Sequence, residues 1–228
     1  MSARLGGNDE EKSEKSQKTQ VPTPLVADGH PIGLIGFGII TLQESILEVL
    51  TLNKTISNTE KYSSMYGQSL FVGGLIQIIS SIFELINGNS LTGAAFGSFG
   101  AFWLSKGLQP VILKFLDLPS GNVSSHDNNM IEGIMTIPWS LWVFIMLLAN
   151  IRKNLSTRIM FILLNCKIHL LTISHFVENE SSNNIHIVAG YFGILLALAA
   201  YYELAAILIN KNNSFINIPR GKNLMKTS

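Results

Sequence analysis

Charge is scarce in this chain of 228 residues: Asp, Glu, Lys and Arg make up 14% of it, against ~25% in an average soluble domain. Cysteine is scarcer still. Cys166 is the single copy and lies in an apolar segment, which excludes an internal disulfide and cysteine-built zinc chemistry. An excess of one sign of charge is missing as well. The formal net charge of +1 gives nucleic-acid binding no electrostatic support. His169 and His175 are six residues apart, on different faces of a helix, so no His/Glu set has metal-ligand spacing. No Ser/His/Asp signature of nucleophilic catalysis is present either. Neither an enzyme active site nor a metal or cofactor is expected. The segment "RLGGNDEEKSEKSQKTQ" has no apolar centre and does not read as a cleavable signal peptide. The ten-residue alternation of a membrane β-barrel is absent too.

What is there is apolar and unevenly interrupted. Hydrophobic residues make up 47% of the chain, and its charges crowd toward the two ends. Residues 1–30 hold four basic and five acidic groups and no Phe, Trp or Tyr, and the last eighteen residues hold four basic groups. Crossing a bilayer core of ~30 Å takes roughly 20 apolar helical residues. Six stretches qualify: 31–52, 64–86, 92–115, 132–149, 158–178 and 185–209. The reading is an all-α, multi-pass membrane protein, six transmembrane helices in a compact bundle with short loops. Its domains are a disordered N-terminal tail over 1–29, a transmembrane domain over 30–210 and a C-terminal tail over 211–228.

Basic residues orient the bundle. With the N-terminus inside, the inner segments and the mouth of the fifth span hold eleven Lys and Arg, including Arg152, Lys153 and Arg158. The outer loops hold two, Lys54 and Lys61. Both termini are therefore expected to be cytoplasmic. The sequons at Asn53, Asn122 and Asn179 fall in outer loops, and those at Asn154 and Asn212 fall inside.

An ionisable group at membrane depth costs several kcal/mol unless it faces protein or water, so each is a candidate site. Glu44 and Glu48 lie on the first span, Glu84 on the second, Lys106 and Lys114 on the third. Lys167, His169 and His175 lie on the fifth and Glu203 on the sixth, with Gln43, Gln77 and Asn165 as neutral partners. The plain alternative is that Glu48, Glu84 and Lys114 snorkel or cap at span ends, and that Lys106 and Glu203 form an interhelical ion pair. Small residues form a second pattern. Gly33 and Gly36, Gly73 and Gly74, Gly93 and Gly97, and Gly190 with Gly193 suit close helix–helix approach.

Four motifs in order carry a more specific signal. They are "DGHPIGLIGF" at 28–37, "GGLIQIISSIFELINGNS" at 73–90, "TGAAFGSFGAFW" at 92–103 and "AGYFGILLALAAYYELA" at 189–205. Their order and spacing resemble the acetate uptake transporter family, the succinate–acetate permease and fungal acetate–ammonia group. The family pattern reads Asn-Pro-Ala-Pro-Leu-Gly-Leu-x-Gly-Phe, then Gly-Gly-x-x-Gln with Glu seven residues on. Ser-Tyr-Gly-x-Phe-Trp and Ala-Gly-x-x-Gly follow.

The resemblance implies a six-helix protomer assembled as a homohexamer, with a separate pore in each protomer. It implies acetate and similar short carboxylates as substrates, moved as anions or with protons, at the plasma membrane. It places an apolar constriction at Phe37, Phe99 and Leu164. Asp28, Thr41, Gln77, Glu84, Ser98 and Lys106 then fall along the substrate path. An apolar ring passes a partly dehydrated carboxylate only where polar groups on either side replace its hydration. The chain departs from the pattern at Asp28-Gly29, where the family has Asn-Pro, and at Phe99, where it has Tyr. Lys106, Lys167 and Glu203 stand where neutral residues are implied. Two alternatives stay open: ammonia or ammonium export, and a non-transporting regulatory paralogue that joins hexamers of an active relative.

Overall fold

The first helix begins at His30 and carries Pro31 in its opening turn, where a missing N–H breaks no helical hydrogen bond. In the computed structural model, residues 27–57, 64–116, 125–178, 180–211 and 213–222 are described. The tail over 1–26, Lys61 and the sequon residues Asn122, Asn179 and Asn212 lie outside them. Six long helices account for the regular structure of the described residues. They are α1 (His30–Leu52), α2 (Ser64–Ile86), α3 (Ser90–Phe115), α4 (Ser125–Asn150), α5 (Leu155–Phe176) and α6 (Glu180–Leu208).

Five of the six are long and apolar enough to cross a membrane; α3, with Ser98, Ser105, Lys106 and four glycines, is the exception. Several helices outrun the apolar stretches that mark them. α4 starts at Ser125 and α6 at Glu180, on polar turns that hydropathy does not see. α5 starts at Leu155 because Asn154 caps it, its Oδ1 accepting from the Thr157 N–H at 2.9 Å. The α2–α3 turn needs Gly88, whose φ of +79° is costly for any side chain. Within α2, residues Ser69–Leu75 form a π-helical stretch around Gly73 and Gly74. Such wide turns are rare and tend to sit near functional sites.

The helices close into a ring. α1 packs on α6 and α2, α2 on α3, and α5 on both α6 and α4. The α3–α4 seam is the loosest, joined mainly by side chains. There the Trp142 Nε1 donates to Ser98 Oγ at 2.9 Å, and Lys106 lies 3.5 Å from Glu132. The inner faces hold Leu34, Phe37, Phe99, Val143, Met146, Leu164 and Leu196. The outer faces are also apolar: Ile134, Met135, Leu141, Phe144, Ile145 and Leu148 of α4 are all exposed. An apolar exterior of this extent suits hydrocarbon rather than water. The fold is that of a multi-pass membrane protein.

Candidate functional site

Inside the ring lies a cavity that is partly open to its surroundings. Five of the helices build it. Phe37, Thr41 and Glu44 come from α1, Phe99, Phe102 and Trp103 from α3, and Thr136, Trp139 and Val143 from α4. α5 adds Leu164, Lys167, Ile168 and Leu171, and α6 adds Leu196. The helical repeat explains why these residues share one face. Phe37, Thr41 and Glu44 recur at spacings of four and three, as do Leu164, Lys167 and Leu171 in reverse order. Pro138 sits beside Trp139 in α4, where its ring interrupts the helical hydrogen-bond ladder.

The two ends of the cavity differ. Toward the end of the bundle where the described chain starts and finishes, its lining is apolar. The Phe37 and Phe99 rings lie 5.7 Å apart, Phe99 stacks on Trp139 at 6.0 Å, and Val143, Leu164 and Leu196 complete the layer. One to two turns further along, Thr41, Glu44, Thr136 and Lys167 supply polar groups. Lys167 is buried, and its Nζ donates to Glu44 Oε2 at 2.7 Å and to Ser45 Oγ at 2.9 Å. Gly193 leaves the space for this ammonium, since a Cβ there would come within 2.9 Å of Lys167 Nζ. Gly73 does the same for Trp103, where a Cβ would lie 2.8 Å from the indole Cγ.

Phe37, Phe99 and Leu164, the three residues of the expected constriction, lie together on this cavity, and Thr41 lies beside them. The other expected path residues are placed elsewhere. Gln77 is fully buried in α2 with its Nε2 turned back to the Gly73 carbonyl at 2.7 Å. Ser98 donates to the Ala95 carbonyl and accepts from Trp142, in the α3–α4 seam. Lys106 pairs with Glu132, and Glu203 pairs with Arg220, so the two do not pair with each other. Asp28 and Glu84 meet at the chain-terminal end of the bundle. The Asp28 Oδ1 accepts from the His30 N–H at 2.9 Å, and the Glu84 side chain is buried close by. Glu44 and Lys167 were visible in the sequence as ionisable groups at membrane depth. Phe102 stood in the Ser-Tyr-Gly-x-Phe-Trp motif, whereas Thr136 and Trp139 carried no signal beyond neutral or apolar character, and only the ring brings them to the cavity.

The small residues all mark close approaches. A Cβ on Gly33 would meet Phe96 at 2.6 Å, one on Gly36 the Val72 carbonyl at 2.7 Å, and one on Gly74 Leu104 at 2.6 Å. Gly93 and Gly97 stand against Leu85 and Ser81, and Gly190 stands against Val49.

Comparison with known proteins agrees with this architecture. The bacterial acetate channel SatP superposes with a TM-score of 0.68 at 21% identity, over 85% of this chain and 99% of that one. In sequence, the meiotically up-regulated gene 86 protein of Schizosaccharomyces pombe is 31% identical, over 83% of this chain and 61% of that protein. The chain thus spans less than two thirds of that relative's length. Ammonia transport outward protein 2 of Saccharomyces cerevisiae is 28% identical over 86% of the chain and 67% of its own length. The succinate-acetate/proton symporter SatP of Escherichia coli is 24% identical, over 86% of this chain and 96% of its own. The signature of the GPR1/FUN34/yaaH family matches residues 11–222, nearly the whole chain, and the protein belongs to that family.

Proposed function

We propose that the protein is a membrane channel or proton-coupled transporter for acetate and related short monocarboxylates, each protomer carrying its own path. One observation carries this reading: a cavity inside a single six-helix ring, closed on one side by Phe37, Phe99, Val143, Leu164 and Leu196 and edged on the other by Thr41, Thr136 and Lys167. The apolar layer makes dehydration the barrier, and the hydroxyls and ammonium beside it replace the lost water. A two-carbon acid presents little bulk to such a layer, whereas a longer acid must part the two Phe rings. The Escherichia coli relative, a succinate-acetate/proton symporter, supports the substrate class.

The same proposal places the path in a homohexamer at the plasma membrane, with 1–29 and 211–228 as cytoplasmic tails. Uptake of labelled acetate in a host lacking its own permease tests it, run across pH with acetate, lactate and succinate. Acetate uptake above empty vector is expected; none, with surface expression confirmed, would overturn the reading. Ammonia export is the second reading, supported by the ammonia transport outward relative and by the acidic Glu44 on the cavity wall. It predicts ammonium-dependent external alkalinisation that persists without acetate. Mixed hexamers without independent flux would instead mark a regulatory paralogue.

A further inference from the structure

Two cavity-lining residues carry charge, Glu44 and Lys167, and their arrangement bears on how a carboxylate could be held there. The Lys167 side chain is 5% exposed. Besides Glu44 at 2.7 Å it lies 3.8 Å from Glu48 Oε2, so one ammonium faces two carboxylates. The two are not equivalent. Glu48 is 6% exposed and is held from its other oxygen by the His186 Nε2 at 2.5 Å. Glu44 is 23% exposed and borders the cavity, which Glu48 does not.

Lys167 is thus the cation that an entering carboxylate would meet, and Glu44 already occupies its cavity side. A third negative charge beside one lysine is strongly opposed where water is scarce. One proton added to Glu44 removes that conflict and leaves the total charge of the cluster unchanged. We propose that the Glu44 carboxylate is a built-in stand-in for the substrate carboxylate, and that a small carboxylate binds Lys167 only as Glu44 takes up one proton and gives way. This rests on the acetate reading above and adds the coupling to it. No covalent bond beyond the new O–H forms: a proton drawn from the bulk buffer goes onto Glu44, and the ion pair with Lys167 is exchanged for one with the substrate. On release the proton leaves and the Glu44–Lys167 pair re-forms. Among the described residues, the charged or titratable groups around this end include Glu48 on α1, Lys106 on α3, Glu132 on α4, His169 and His175 on α5 and His186 on α6. Lys106 and Glu132 offset each other at 3.5 Å, and the two imidazoles lie 5.7 Å apart, with His186 on Glu48.

The test is calorimetric titration of the purified full chain with acetate, in two buffers of different ionisation heat, which counts the protons bound with the ligand. Wild type is expected to take up about one proton per acetate, with affinity falling as pH rises. Glu44→Gln is expected to bind acetate, take up none and lose the pH dependence, and Glu44→Asp to restore both. Lys167→Met is expected to abolish binding. A Glu44→Gln protein that still takes up a proton would mean that acetic acid itself is the bound species, and would overturn the proposal. Wild type that binds without proton uptake overturns it without recourse to any variant. Wild type that neither binds nor moves acetate sinks the transport reading itself, whereas proton-free acetate flux sinks only this coupling.

Discussion

Phe37 shows how far a single side chain can be argued. It stands 5.7 Å from Phe99 on an apolar layer, and both rings are almost fully buried although they face an empty cavity. Truncating it should widen the layer as well as cost packing, because its ring both borders the cavity and belongs to the core. Phe37→Ala is expected to raise flux or to admit larger monocarboxylates, read as the ratio of propionate or lactate to acetate uptake. An unchanged ratio would remove Phe37 from the path. The family resemblance placed Gln77 and Ser98 on the substrate path as hydrogen-bond donors. Their donors instead go to the Gly73 and Ala95 carbonyls, a choice fixed by rotamer and neighbour and invisible in the one-letter string.

Helices meet here through missing side chains. The π-helical stretch of α2 brings the Val72 carbonyl against Gly36 of α1, so that an added Cβ would sit 2.7 Å from a backbone oxygen. Backbone cannot swing aside as a side-chain end can. Gly36→Ala should therefore destabilise by about 1–3 kcal/mol, the usual cost of overpacking, seen as a lower melting midpoint in detergent. A second contact between elements involves the chain after α6. The Arg220 guanidinium reaches the fully buried Glu203, which also receives the Ser156 and Thr157 hydroxyls, while the Ser156 N–H donates to the Arg220 carbonyl at 3.2 Å. Arg220→Ala strands part of that carboxylate. With two hydroxyl donors left and the Arg220 side chain 40% exposed, about 1–2 kcal/mol of stability should go, again read from the melting midpoint. The plain sequence alternative paired Glu203 with Lys106; the donor present lies only seventeen residues further along the chain.

For the molecule as a whole, orientation is the property that basic residues decide. The sequence count of eleven Lys and Arg against two makes both termini expected to be cytoplasmic, and the described ends of the chain lie at one end of the bundle. Ser80 and Asn87 there donate to the Gly29 and Ala27 carbonyls, and Arg220 docks on Glu203. A cysteine introduced at Lys222 should resist a membrane-impermeant thiol reagent in intact cells, and one at Asn53 should react. The reverse pattern would invert the proposed topology and with it the direction in which Lys167 faces.

Composition and periodicity by themselves determined that this chain is a multi-pass helical membrane protein, because apolar length and sparse charge are summed over many residues and tolerate local error. The family resemblance marked Phe37, Phe99 and Leu164, and charge at membrane depth marked Glu44 and Lys167. Partnership was decided only in three dimensions. Glu44 and Lys167 are 123 residues apart in sequence and 2.7 Å apart in space. No pattern along the chain says which of several buried charges will meet when six helices close a ring, since that depends on how far each helix rotates and slides against its neighbours.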